Sequence, residues 1–149
     1  MELWVEKYRP TTLETYIGNE TIKNKIEDYL KQGSIQNLLL HGVAGTGKTT
    51  LAKLLVKNID CDYLYINASD ERGIDTIREK IQPFALSMGF NDVKIVILDE
   101  ADYLTPQAQA TLRHTIEACS ATTRFILTCN YLERIISPLQ SRCQTFEIT

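Results

Sequence analysis

The sequence predicts an α/β fold in which a five-stranded parallel sheet carries helices on both faces. Three observations predict it. Five short apolar runs alternate with helix-like segments along the chain, the order that crossover helices impose on a parallel sheet. The best of those runs are continuously apolar rather than alternating, as strands buried on both faces require. The 149 residues are 44% hydrophobic and 23% charged, which fits one domain; a chain of this size buries about 70% of its unfolded surface.

Each element follows in order. "GNETIKNKIEDYLKQG" (residues 18–33) predicts a helix with Asn19 as N-cap and Gly33 as its stop; Ile22, Ile26, Tyr29 and Leu30 keep helical spacing. "NLLLHG" (37–42) is the first strand and "KTTLAKLLVKNI" (48–59) the next helix. "YLYIN" (63–67) is the second strand. "IDTIREKIQPFALSM" (74–88) is a helix that Pro83 is expected to kink or end. "VKIVILDE" (93–100) is the strongest strand. "TPQAQATLRHTIEAC" (105–119) is a helix with Thr105 as N-cap and Pro106 at its first position. "RFILTCN" (124–130) and "QTFEI" (144–148) are the last two strands. No internal repeat or low-complexity tract interrupts the series.

Composition narrows the function classes. The net charge of −3 does not advertise nucleic-acid binding, though it leaves room for a local basic patch. Cys61, Cys119, Cys129 and Cys143 form no CxxC pair, and only His41 and His114 are there to join them. They read as reduced thiols in an intracellular protein. Met1 is followed by charged residues rather than an apolar run, and no apolar run approaches the ~18 residues of a membrane span.

"GVAGTGKT", Gly42 to Thr49, fits the pattern G-x-x-x-x-G-K-[ST]. It lies between a buried strand and a helix, the context its chemistry needs. Gly42, Gly45 and Gly47 let successive N–H groups turn toward phosphates at a helix N-terminus. Lys48 is expected to reach the β- and γ-phosphates, and the Thr49 hydroxyl to hold Mg²⁺. "IVILDEAD" ends a buried strand with Asp99, Glu100 and Asp102, on the edge of the sheet where ligands bind. Asp99 is the second residue expected at Mg²⁺, and Glu100 is placed to orient or deprotonate a water. Asn130 ends the fourth strand, where it is able to help position that water.

Together these residues resemble the AAA+ ATPases, and within them the sliding-clamp loaders: the small subunits of replication factor C and the ATPase subunits of tailed-phage clamp loaders. The likeness covers the whole chain. It rests on "WVEKYRPTTL", "GTGKTT", "NASDERGID", the "DEAD" of 99–102, "TLRHTIE", "TCN" and "SRC". The resemblance implies a P-loop AAA+ core over residues 1–149, with 1–18 forming an adenine-side segment and 37–149 the sheet. Tyr8, Arg9, Pro10, Ile17 and Gly18 would pack against adenine. The nucleotide loop would run from Gly42 through Val43, Ala44, Gly45, Thr46, Gly47, Lys48 and Thr49 to Thr50; Val43 and Ala44 stand where the family usually has two prolines. Asn130 would sense the γ-phosphate. Asn67 would restrain Glu100 until DNA binds. Arg142 of "SRC" would act as an arginine finger on a neighbouring subunit's ATP. Arg72, Arg78 and Lys80 lie where the family tracks a DNA backbone, although Glu71, Asp75 and Glu79 stand among them; Arg113 resembles a residue linking the DNA-facing region to the ATP site.

The function so implied is ATP binding and hydrolysis, coupled to opening a sliding clamp and loading it at primer–template junctions during replication. ATP and Mg²⁺ are the expected ligands. Sibling subunits of a pentamer, the clamp and DNA are the expected partners, with no membrane and a cytoplasmic or nuclear setting. The helical lid and collar that follow this core in the family are absent from the 149 residues. Two alternatives stand beside this reading: another AAA+ DNA motor of the branch-migration type, and a subunit that binds ATP without turnover.

Overall fold

The computed structural model describes residues 20–32, 35–87, 89 and 93–148. Five strands form one sheet, β1 (Leu38–His41), β2 (Asp62–Asn67), β3 (Lys94–Asp99), β4 (Thr123–Cys129) and β5 (Gln144–Glu147). Their order is β2-β3-β4-β1-β5, and every pairing is parallel. The expected sheet is therefore present. The expected helix limits Asn19 and Gly33, and the expected adenine-side residues Tyr8, Arg9, Pro10, Ile17 and Gly18, lie outside the described residues.

Period-two geometry sends alternate residues of each central strand to opposite faces. Leu38, Leu40, Ile95, Ile97 and Ile126 pack on one face under α1 (Glu20–Gln32) and α2 (Lys48–Lys57), meeting Tyr29, Leu51 and Leu55. Leu39, Val96, Leu98, Phe125 and Leu127 pack on the other, meeting Ile77, Ile81, Leu112 and Ile116. Both sets are buried, which is why these runs are apolar throughout.

The helix predicted over 74–88 does not end at Pro83. It runs as α3 (Ile74–Thr76), a π-helical turn over Ile77–Ile81, and α4 (Gln82–Leu86). Proline has no N–H, and its ring crowds the carbonyl four residues back. The wider π turn just before Pro83 absorbs both demands. After β3 the chain makes a 3₁₀ turn (Ala101–Tyr103) and enters α5 (Pro106–Ala118). Thr105 caps α5 as expected: its hydroxyl accepts from Ala108 N at 3.1 Å, with Pro106 in the first turn. A second 3₁₀ turn (Leu132–Arg134) and the short α6 (Ser137–Gln140) lead to β5.

The strand order sets the site. β4 separates β1 from β3, so three strand ends open side by side: the phosphate loop after β1, the acids after β3 and Asn130 after β4. All four cysteines are free thiols. Burial pushes Cys129 and Cys143 up to about 12 and Cys61 up to about 11, so they stay protonated and unreactive near neutral pH.

Candidate functional site

A cleft of about 460 Å³ opens at the carboxyl edge of the sheet, lined by Ala44, Gly45, Gly47, Lys48, Thr49, Thr50, Asp99, Glu100, Thr128 and Asn130. Eight of these ten are phosphate-loop or acidic-edge residues that the sequence marks, and Asn130 is a ninth; Thr128 is the one it does not mark.

The loop's shape follows from its glycines. Gly45 and Gly47 adopt φ of 85° and 90°, a region that L side chains rarely enter. A Cβ on Gly42 would stand 2.3 Å from the Ile148 carbonyl oxygen, so this position must stay bare where β1 leaves the sheet beside β5. Gly47 caps α2 without any side-chain bond to the helix's first amides. Those N–H groups and the helix dipole therefore face the cleft, an arrangement that favours anions. Val43 is 73% exposed at the loop tip. Its side chain supplies no polar group, and nor does that of Ala44.

Lys48 is buried, and its Nζ donates to Gly42 O and Val43 O, each at 2.8 Å, and to Thr46 Oγ1 at 3.3 Å. Burial lowers its pKa, while the nearby Cys129, Asp99, Asp102 and Glu100 oppose that shift. The ammonium thus sits at the mouth of the loop on backbone carbonyls, able to exchange them for stronger anionic acceptors.

Asp99 is the hub of the opposite wall. Thr49 Oγ1 donates to its Oδ1 and Oδ2 at 2.9 and 3.0 Å, joining the loop to β3. Tyr65 Oη donates to Oδ2 at 2.7 Å, and Thr128 Oγ1 to Oδ1 at 2.5 Å. Burial, then the bond to Asp99, pushes the Tyr65 phenol up to about 12. Among the described residues no three His, Cys, Asp or Glu side chains gather to hold a metal. One hydroxyl and one carboxylate, all oxygen, fit a hard cation such as Mg²⁺, which keeps several waters and takes few protein ligands.

Glu100 follows at φ 55°, ψ 47°, the one positive φ outside glycine among the described residues. Its Oε1 accepts from Asn67 Nδ2 at 3.1 Å. The Asn67 amide is itself oriented: its Oδ1 accepts from Ser69 N at 2.8 Å and Ser69 Oγ at 2.7 Å. Register explains the meeting, since Asn67 lies directly across from Asp99 at the end of the β2–β3 pair. Asp102 Oδ2 accepts from the Asn130 and Tyr131 amides at 3.3 and 3.1 Å, which fixes where the chain leaves β4.

Arg142 lies elsewhere. It precedes β5, whose Gln144 pairs with Leu38 at the amino end of β1, so it sits on the sheet edge away from the phosphate loop. Its Nε donates to Glu117 Oε1 at 2.6 Å, and its Nη2 lies 2.5 Å from the same oxygen. Arg113 also pairs with Glu117, at 3.4 Å. The hydrogen bond from Arg142 is the main cause that lowers the Glu117 pKa. Of the expected DNA contacts, Lys80 pairs with Glu71. Arg72 donates to Ser69 O at 3.0 Å and stacks 5.0 Å from the Tyr103 ring centre. Arg78 is exposed on the π turn.

Three contributors escaped the sequence reading: Tyr65, Thr128 and Glu117. A lone hydroxyl near the end of the apolar run "FILTC" was the available signal for Thr128. Tyr65 and Glu117 depend on register and helix placement, for which no local pattern exists.

A parallel sheet of order 2-3-4-1-5, a phosphate loop after β1 and acids after β3 define a P-loop α/β core. The chain belongs to the ATPase family associated with various cellular activities (AAA), whose pattern it matches over residues 38–148. It is 47% identical over 154 aligned residues to the replication factor C small subunit of Natronomonas pharaonis, covering 99% of this chain and 47% of that protein. The corresponding subunit of Archaeoglobus fulgidus is 47% identical, with 97% of this chain and 48% of that protein covered. The chain thus spans about half the length of the curated relatives it matches. The Thermotoga maritima RuvB Holliday junction branch migration motor superposes with a TM-score of 0.77 over 93% of this chain and 48% of that one, at 23% identity. That likeness shows the shared fold. Among the described residues no helix is long and apolar enough to cross a membrane.

Proposed function

We propose that this chain is the ATP-binding and hydrolysing core of a DNA sliding-clamp loader subunit, coupling ATP to clamp opening and to loading at primer–template junctions. The observation that supports it best is the wall of the cleft. There the Asn67–Glu100 hydrogen bond stands beside Lys48, Thr49 and Asp99, in a chain that is 47% identical to replication factor C small subunits.

In this reading residues 37–149 are the nucleotide-binding sheet and residues 1–18 the adenine side. The loop amides from Gly42 to Thr50 take the phosphates, and Lys48 trades its carbonyl partners for the β- and γ-phosphate oxygens. Thr49 and Asp99 hold Mg²⁺, which supplies neutralisation of phosphate charge when bound. Glu100, once released by Asn67, orients and deprotonates the attacking water. Asn130 reports the γ-phosphate. Arg142 serves a neighbouring subunit, and Arg72, Arg78 and Lys80 face the DNA backbone. The sibling subunits, the clamp and the DNA are the partners. Loss of the γ-phosphate contacts on hydrolysis then resets the assembly.

The test is ATP binding and steady-state turnover with primer–template DNA and clamp present. Lys48→Ala is expected to lose ATP binding. Glu100→Gln is expected to retain ATP while turnover drops by about 10² or more. Wild type that holds ATP without turning it over, or Glu100→Gln at the wild-type rate, would sink the hydrolase reading. Turnover indifferent to both DNA and clamp would sink the clamp-loader part.

A further inference from the structure

Thr128 is 1% exposed, in a strand whose neighbours Phe125, Ile126 and Leu127 are fully buried. A hydroxyl is a costly choice there unless it is paired. It is paired twice. Its oxygen accepts from Glu100 N at 3.0 Å, and its proton goes to Asp99 Oδ1 at 2.5 Å. An ionised carboxylate only accepts and an amide N–H only donates, so the hydroxyl's one proton has one direction to take. Thr49 and Tyr65 also donate to Asp99, but no bond joins either hydroxyl to Glu100. Thr128 alone of the three spans both acids.

We propose that Thr128 is a positioning residue that fixes Asp99 and Glu100 relative to one another through this one hydroxyl. The inference rests on the nucleotide-hydrolysing reading above. Toward Asp99, the bond sets the carboxylate's rotation, so that the lone pairs Thr49 occupies face the cleft. Toward Glu100, the bond satisfies the amide of a residue held at φ 55°. Such a conformation persists when its surroundings over-determine it. The Glu100 side chain then starts from a fixed Cα, at the point where it meets Asn67 Nδ2. The neighbouring β3–β4 register, with Leu98 opposite Leu127, is what brings Thr128 level with the two acids.

Thr128→Val keeps the shape and removes the hydroxyl, Thr128→Ala removes it with less bulk, and Thr128→Ser retains it. Three readouts apply to the full chain. The first is amide hydrogen exchange at Glu100 without nucleotide. The second is the Mn²⁺ concentration that half-saturates binding of a fluorescent ATP analogue. The third is kcat and KM for ATP at saturating Mn²⁺. In Val and Ala, Glu100 exchange is expected to accelerate, and the Mn²⁺ requirement to rise about 10-fold. Their kcat is expected to fall about 10-fold, with KM within about two-fold. Ser is expected to hold all three near wild type. If Val does not fold, Ala against Ser decides. A Ser variant as impaired as Ala, or an Ala variant matching wild type, overturns the inference. Wild type without Mn²⁺-dependent nucleotide binding overturns the function reading itself, and this inference with it.

Discussion

Tyr65 shows how one side chain ties the sheet's edge to its centre. The residue is 38% exposed on β2, with the Lys53 ammonium 4.9 Å from the ring centre, while its hydroxyl reaches inward to Asp99. Burial first, and that bond second, raise its pKa from 10.0 to about 12. A phenol whose folded pKa is raised stabilises the fold fully below pH 10, and that contribution fades as the pH climbs from 10 toward 12. Phenolate absorbance should therefore show one tyrosine ionising near 12 that Tyr65→Phe lacks, and the variant's alkaline melting should miss the corresponding loss. Ionisation of that group at 10 would mean that neither the burial nor the bond to Asp99 holds in solution. Asn67 carries a second prediction. Asn67→Ala removes the amide that holds Glu100 Oε1, so turnover without DNA is expected to rise a few-fold, roughly the worth of one hydrogen bond, and the stimulation by DNA to shrink. Equal DNA stimulation in variant and wild type would exclude a restraining role. Lys48, Thr49, Asp99 and Glu100 were legible because each belongs to a short local motif, and Asn67 only through the family resemblance. Tyr65 and Thr128 were not, because their roles arise from lateral neighbours that only strand order and register supply.

Elements were legible to the extent that their signals are local. Thr105 followed by Pro106 marks the start of α5 by chemistry confined to four residues, and the Thr105 hydroxyl accepts from Ala108 N at 3.1 Å. Thr105→Ala leaves that amide without its cap and should lower stability by about 1 kcal/mol, read from the denaturation midpoint at unchanged slope. No change would mean solvent replaces the cap at no cost. Pro83 marks the limit of local reading. Its rule predicts a kink or an end, yet beyond it Ala85 is buried and Phe84 packs against the core that holds Ile77 and Ile81. Ending the helix at Pro83 would withdraw Phe84 and Ala85 from that packing. Tertiary burial keeps the helix going, and the π turn absorbs the mismatch. The strands were legible as buried runs, but their order was not: each run fits any interior position, and the choice of β4 as the centre depends on which helices cover which face.

At the scale of the molecule, the sheet has two edges with different occupants. The phosphate loop follows His41, whose partner Glu147 ends β5, while Arg142 precedes Gln144 at the other end of the same pair. The four residues of β1 span roughly 13 Å between these edges, more than an arginine side chain crosses through a packed sheet. Arg142 is also exposed, with 43% of its side chain open to solvent, on the short tether to Glu117. A solvent-screened pair of this kind is weak, so an anionic phosphate from another molecule is a competent rival to Glu117 for the guanidinium. If Arg142 serves a neighbour, the defects of Arg142→Ala and Lys48→Ala lie in different sites. The first chain still binds ATP and lacks a finger to lend, while the second lends a finger and binds no ATP. Each alone should be slow, by about 10³ for the missing finger. Mixed under conditions that allow subunit exchange, with DNA and clamp present, they form junctions in which an intact ATP site meets an intact Arg142, and turnover should exceed that of either alone. If exchange is verified by labelled subunits and turnover stays at the sum of the two parts while wild type is active, Arg142 acts within its own chain or only in structure, through its pair with Glu117, and the reading of the two edges as halves of one shared site is wrong.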